Sequence, residues 1–246
     1  MTIRVGVGGW TYEPWRGVFY PAGLAQRREL EYAARALTAI EINATYYGRQ
    51  KPASWAKWAE TVPTGFKFSL KASRYSTARK VLADGKQSVE TFLSQGFTAL
   101  GDKLGPINWQ FAEGKPFERD DFARFLDFIP DTQDGVKLRH ALEVRHESFA
   151  DAAFLDLARA RNMAVVFADH DAFPRIAEQT ADFTYARLQR SVEDVVTGYD
   201  TAALDGWAKQ AKSWAKGGRD VFVYFISGAK VRNPAAAQAL IARLSA

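Results

Sequence analysis

The chain has 246 residues, with 47% apolar and 13% aromatic side chains, 33 Lys and Arg against 28 Asp and Glu, and no cysteine. That length fits one large domain, the apolar content excludes a disordered chain, and the lack of thiols excludes disulfides, thiolate metal sites and a cysteine nucleophile. The net charge of +5 leans toward anionic partners but falls short of a dedicated nucleic-acid binder.

No apolar run approaches the roughly 18 residues that span a bilayer, and the best is only 221–226. The first ten residues lack a basic stretch followed by an apolar one, so the expectation is a soluble, cytoplasmic chain with no membrane partner.

Short β-rich runs alternate along the chain with segments of helical periodicity. Strands are predicted at 3–7, 39–42, 66–70, 107–111, 141–144, 164–167, 183–188 and 221–225, several of them continuously apolar, as parallel strands buried on both faces are. Between them, Trp55, Trp58, Ala59 and Val62 recur at i, i+3, i+4 and i+7, and Phe122, Phe125, Leu126 and Ile129 do the same. Trp207, Ala211 and Trp214 mark the helix before the last strand. Asn233-Pro234 opens the final one, an N-cap residue type followed by a proline at the first helical position. The sixth helix, 171–181, is short and carries Pro174, so irregularity is expected there. No repeat, low-complexity tract or linker divides the chain. Eight strand and helix alternations predict a single α/β domain over 1–246, a (β/α)8 TIM barrel.

Active sites of such barrels sit where strands end. The polar residues collected there are Tyr12 after the first strand, Glu41, Asn43 and Tyr46 around the second, Lys71 after the third and Gln110 in the fourth. Glu143, Arg145 and His146 follow in the fifth, Asp169 and His170 after the sixth, Arg187 and Gln189 in the seventh, and Tyr224, Ser227 and Lys230 around the eighth. Alternation puts Glu41 with Asn43, Glu143 with Arg145, and Arg187 with Gln189 on shared strand faces. His140 falls at the start of the fifth strand, toward the opposite end.

The segment from Gly9-Trp10 through Tyr12, Trp15, Gly17 and Phe19-Tyr20-Pro21, followed by Glu41-Ile42-Asn43 and Tyr46-Tyr47, resembles the YecE-like family, domain-of-unknown-function family 72. Trp55 with Trp58, Phe66-Lys67-Phe68 with Lys71, Leu104-Gly105-Pro106, Glu143-Val144-Arg145-His146, Tyr185-Ala186-Arg187-Leu188 and Val223-Tyr224-Phe225 extend that likeness over nearly the whole chain. The resemblance implies a TIM barrel of the broad kind found in sugar isomerases and metal-dependent repair endonucleases, and no settled reaction. Two departures stand out: Arg187-Leu188-Gln189-Arg190 where the family often has Arg-Leu-His-Gly, and Phe225-Ile226-Ser227 where it has Phe-Asn-Asn.

Each chemical signal has a competing structural reading. Gly6-x-Gly8 lacks the third glycine of a dinucleotide loop, whose place is taken by Thr11. A metal site built from Glu41, Glu143, His146, Asp169 and His170 would sit beside Lys71 and Arg145, so neither a metal nor any other cofactor is expected. The acidic residues could instead neutralise Lys71, Arg145 and Arg187 in a buried network. Trp10, Tyr12, Trp15, Phe19, Tyr20, Tyr46 and Tyr47 are either loop packing or a stacking platform.

The favoured expectation is a mouth that takes a phosphorylated or carboxylated small molecule. Arg187, Lys71 and Lys230 would hold the anion, with Arg187 as the anchor whose replacement by Lys weakens binding more than folding. Glu143 or Glu41 would serve as general acid/base, with Asp169 the third catalytic candidate, and Tyr12, Tyr46 and Tyr224 would orient the ligand. Nucleic-acid binding with phosphodiester chemistry and a non-catalytic scaffold are the alternatives; oligomeric state is left open.

Overall fold

The computed structural model describes residues 2–245. Nine strands form one parallel sheet: β1 (Ile3–Gly8), β2 (Ala39–Ile42), β3 (Lys67–Lys71), β4 (Leu104–Gln110), β5 (His140–Glu143), β6 (Ala164–Val165), β7 (Phe167–Asp169), β8 (Phe183–Leu188) and β9 (Asp220–Phe225). Their order is β6-β5-β4-β3-β2-β1-β9-β8-β7. β6 and β7 are the two halves of the sixth predicted strand, parted at Val166. One half pairs with β5 and the other with β8, so both edges of the sheet belong to one stretch of chain and the ring closes. The Val166 N–H donates to the Leu142 carbonyl at 3.0 Å across the break. A two-residue-per-strand hairpin, Thr132–Gln133 with Val136–Lys137, stands outside the ring.

The outer layer holds α1 (Glu29–Ala36), α2 (Pro52–Thr61), α3 (Lys86–Leu93), α4 (Arg119–Leu126), α5 (Ala152–Ala160), α6 (Thr201–Trp214) and α7 (Asn233–Ser245). The predicted stripes face the sheet: Trp55 and Val62, and Phe122, Phe125, Leu126 and Ile129, are buried. Two expectations are corrected. No helix forms over 171–181, where Pro174 removes a donor; the Thr180 hydroxyl instead accepts from Val165 N–H at 2.9 Å and donates to the Met163 carbonyl at 2.7 Å. Asn233 is helical rather than an N-cap. A 3-10 turn, Lys230–Arg232, precedes it, and its amide accepts from Ser191 Oγ at 2.8 Å and donates to the Ser227 carbonyl at 3.1 Å.

Alternation along the strands divides the core in two. Residues such as Val5, Ile107 and Val223 pack under the helices, while Ala39, Ala141 and Ala164 on one side of the ring face Phe183, Tyr185, Phe222 and Tyr224 on the other. Small residues opposite large ones fill the interior of a narrow barrel. Gly6 is required by that closeness: a Cβ there would lie 1.8 Å from the Ala39 carbonyl oxygen. Among the described residues, no helix is long and apolar enough to cross a membrane.

Candidate functional site

Inward positions near the carboxyl ends of the strands are polar, and they form a layered network. Glu41 on β2 and Glu143 on β5 are fully buried, and Arg187 on β8 lies between them at 2% exposure. Arg187 Nη1 donates to both Glu143 oxygens at 2.7 Å, and Nη2 reaches Glu41 at 3.1 Å. Glu143 also accepts from Asn108 Nδ2 at 2.9 Å, Gln110 Nε2 at 2.8 Å and Arg145 Nη2 at 2.9 Å. Tyr185 donates its hydroxyl to Glu41. Burial alone would raise the Glu143 carboxyl, but Arg187 and Arg145 overcome it and hold the group well below the usual carboxylate range. Burial likewise opposes the Arg187 charge, and Glu143 and Glu41 more than restore it, raising that group above its ordinary value.

Above this layer lies a cavity of about 210 Å³ walled by Gly8, Asn43, Lys71, Arg145, Arg187, Ile226, Ser227, Lys230 and Asn233. Four of these side chains are cations. Lys71 is 9% exposed and its ammonium makes no hydrogen bond or ion pair among the described residues; its Nζ sits 4.1 Å from the Tyr46 ring centroid. Burial, then the Arg187 charge, pushes Lys71 down to about 8. Lys230 sits over Tyr12 in the same way, at 4.1 Å, and burial lowers it too. The loop after β1 is pinned to the Lys230 turn by Trp15, whose indole N–H donates to the Lys230 carbonyl at 2.9 Å.

Not all candidates meet here. Tyr224 is buried beneath the network, 2.7 Å from Ser69 Oγ, and does not wall the cavity. His146 caps the turn Glu147–Phe149, its Nδ1 accepting from Ser148 N–H at 3.2 Å. Asp169 pairs with Arg190 at 4.0 Å; burial raises its carboxyl despite that neighbour. Among the described residues, no three His, Cys, Asp or Glu side chains gather to hold a metal ion. The aromatic group splits: Trp15, Phe19 and Tyr20 pack into the core, Tyr12 and Tyr46 floor the two lysines, and Tyr47 is exposed. His140 lies at the far end as expected. It is 3% exposed, accepts from Trp109 Nε1 at 3.1 Å and donates to the Pro130 carbonyl at 2.9 Å.

Sequence reasoning missed Asn108, which joins both carboxylates to β4 at 2.9 Å from Glu143 and 3.5 Å from Glu41. It stands two residues before Gln110, so the alternation that paired Glu41 with Asn43 would have found it. Ser227 walls the cavity beside Lys230, whereas Asn233 was missed as a wall because loop folding brings it there.

A DUF72 family protein from Thermotoga maritima has the same fold, with a TM-score of 0.78 at 22% identity, covering 98% of this chain and 97% of that one. A DUF72 family protein from Enterococcus faecalis superposes with a TM-score of 0.72 at 18% identity, covering 100% and 96%. Among curated proteins, none matches. The family profile described as "Protein of unknown function DUF72" matches residues 4–246, and the chain belongs to that family.

Proposed function

We propose that the barrel mouth binds a small anionic ligand, phosphorylated or carboxylated. The observation that carries this reading is the cavity of about 210 Å³ walled by Lys71, Arg145, Arg187 and Lys230, above two carboxylates already engaged by the protein's own donors. Four cations around one small volume repel one another, and an anion relieves that repulsion. Arg187 and Arg145 face the carboxylates from one side and wall the cavity from the other, so Lys71 and Lys230 supply the charges not otherwise held. If the bound molecule reacts, Lys71 is the better proton acceptor. Its ammonium is already lowered to about 8, whereas Glu143 has both oxygens occupied by Arg187. Titration calorimetry at low salt with inorganic phosphate, citrate and simple phosphate esters tests the reading. Binding by at least one of these, weakened in Lys71→Met and Lys230→Gln, is expected; no binding, or binding indifferent to both substitutions, overturns it.

One observation favours a second reading, nucleic-acid binding. Tyr47 and Tyr75 are 65% and 56% exposed and flank the Arg74 guanidinium at 5.8 and 5.2 Å. Tyr75 and Arg49 help to wall a separate cavity of about 350 Å³. Exposed aromatic rings beside a guanidinium suit unstacked bases. Retention on single-stranded DNA or RNA at low salt, lost in Tyr47→Ala and Tyr75→Ala, would support this reading, and no retention would remove it.

A further inference from the structure

The opposite end of the barrel carries a second concentration of positive charge. Four residues before Gly8, Lys71 and Glu143 stand Arg4 on β1, Lys67 on β3 and Arg139 just ahead of β5, and all three wall one cavity at the amino-terminal end. With Lys137 they wall a cavity of about 340 Å³, whose other walls include Gly101, Asp102, Gly105, Asp220 and Phe222. The charges do not cancel there. Asp220 is the carboxylate that pairs with these cations, and it is shared: Arg139 Nη1 donates to it at 2.9 Å, Thr2 N–H at 2.9 Å, and Arg4 Nη1 stands off at 3.9 Å.

What the cations lack is as informative. Arg4 Nη1 is buried with no hydrogen-bond partner, and Arg4 Nε donates only to the Gly65 carbonyl, at 3.3 Å. The Lys67 ammonium donates only to a backbone carbonyl, that of Asp102, among the described residues. The guanidinium planes are fixed from below, Arg4 at 5.6 Å over the Phe222 ring and Arg139 at 5.5 Å over the Phe183 ring. Burial is the main cause that lowers the Lys67 ammonium, and Arg4 and Arg139 add to it against the opposing pull of Asp102 and Asp220. A plug built only for stability would match its charges one to one. This one has two oriented guanidiniums and an ammonium around a hollow, with one carboxylate shared between the two guanidiniums.

From this arrangement we infer that the amino-terminal end of the barrel is a second anion site, taking a phosphate-type dianion between Arg4, Lys67 and Arg139. Guanidiniums present forked donors that match phosphate oxygens, and the ammonium adds a point charge. The dianion can come from free phosphate or from a phosphate ester, since the cavity of about 340 Å³ has room beyond the phosphate itself.

The test uses the full chain carrying Lys71→Met and Lys230→Gln, which removes the two free cations of the mouth. Inorganic phosphate and glycerol 3-phosphate are titrated at low salt by calorimetry. One phosphate per chain is expected to bind still, about tenfold more weakly when Lys67→Met is added. Lys67→Met leaves no carboxylate unpaired, so the fold should hold, which circular dichroism checks; Arg139→Gln is the second variant, expected to weaken binding likewise. Binding of glycerol 3-phosphate as tightly as phosphate points to an ester, and binding of phosphate alone points to the free ion. Absence of residual binding, or affinity unchanged by Lys67→Met, overturns the inference. A wild-type affinity unaffected by the mouth substitutions overturns the mouth reading and leaves this one standing.

Discussion

Arg187 places a single guanidinium nitrogen 2.7 Å from each carboxylate oxygen of Glu143. Both side chains are buried, and the same guanidinium reaches Glu41 at 3.1 Å. The residue that the sequence nominates as an anion anchor is therefore also the bridge between two buried carboxylates. Removing it leaves those charges without their main counterion, so Arg187→Met should cost about 3–5 kcal/mol of stability in urea unfolding. Arg187→Lys should recover only part of this, because one ammonium cannot span both carboxylates with fixed forks. A loss below about 1 kcal/mol in Arg187→Met would show that the bridge does not support the fold.

Acid should act on two groups in sequence. Burial holds His140 at about 4, against 6.5 ordinarily, so the unfolded chain binds a proton in that window and the folded one does not. Stability should fall by roughly 3 kcal/mol as pH drops from 6.5 to 4 on this account. Glu143, depressed by Arg187 and Arg145, adds a further loss as pH drops below the ordinary carboxylate range. Proton NMR should find the His140 ring neutral at pH 5.5. A normal titration near 6.5 would contradict the buried pairing with Trp109 and Pro130.

Much of this architecture was legible because strand alternation and helical periodicity are local signals. The strands over 39–42 and 183–188 lie where the pattern puts them, and the pairs Glu41 with Asn43 and Glu143 with Arg145 share faces as period two requires. The break at Val166 was not legible, since the run Ala164 to Phe167 is apolar throughout and the interruption comes from pairing with two different neighbours. Nor was the fate of 171–181, where Thr180 accepts from Val165 N–H and donates to the Met163 carbonyl instead of joining a helix. Tyr224 looked like a mouth residue because its place in β9 was read without the depth of the barrel, and one layer decides whether a tyrosine meets ligand or Ser69. The cations Arg4, Lys67 and Arg139 were each visible singly, but only closure of the ring puts them around one cavity.

Lys71 should destabilise the unliganded protein at neutral pH. Its ammonium is lowered from 10.5 to about 8, so between those values the unfolded chain holds a proton that the folded chain gives up. Wild-type stability should therefore rise with pH from 8 to 10.5, and below 8 the full penalty, roughly 3 kcal/mol, should be present. Lys71→Met removes it and should raise the unfolding temperature at pH 7, with the advantage shrinking above pH 8. A bound anion should reverse the order by stabilising wild type more than the variant. A lower unfolding temperature for Lys71→Met at pH 7 would refute the crowding argument.

Gly8 offers a way to alter the mouth without disturbing its charges. A Cβ at this position would lie 2.6 Å from Asn43 Nδ2 and 3.4 Å from Ile226 Cγ1, so the contact is with side-chain atoms rather than backbone. Gly6, two residues earlier, would meet the Ala39 carbonyl and has no such freedom. Gly8→Ala should therefore displace the Asn43 amide, which walls the cavity, while the strand pairing of β1 survives. The stability cost should stay within about 1–2 kcal/mol, typical of a modest side-chain adjustment. Affinity for a mouth-bound anion should drop by more than that cost explains, because the amide donor is turned away from the ligand. Gly6→Ala should instead unfold the protein or lower its stability severely, since β1 and β2 must separate to admit the methyl group. Paired measurement of unfolding and phosphate affinity in the two variants separates these effects. Equal and severe destabilisation by both would mean that Gly8 serves strand packing and not the cavity.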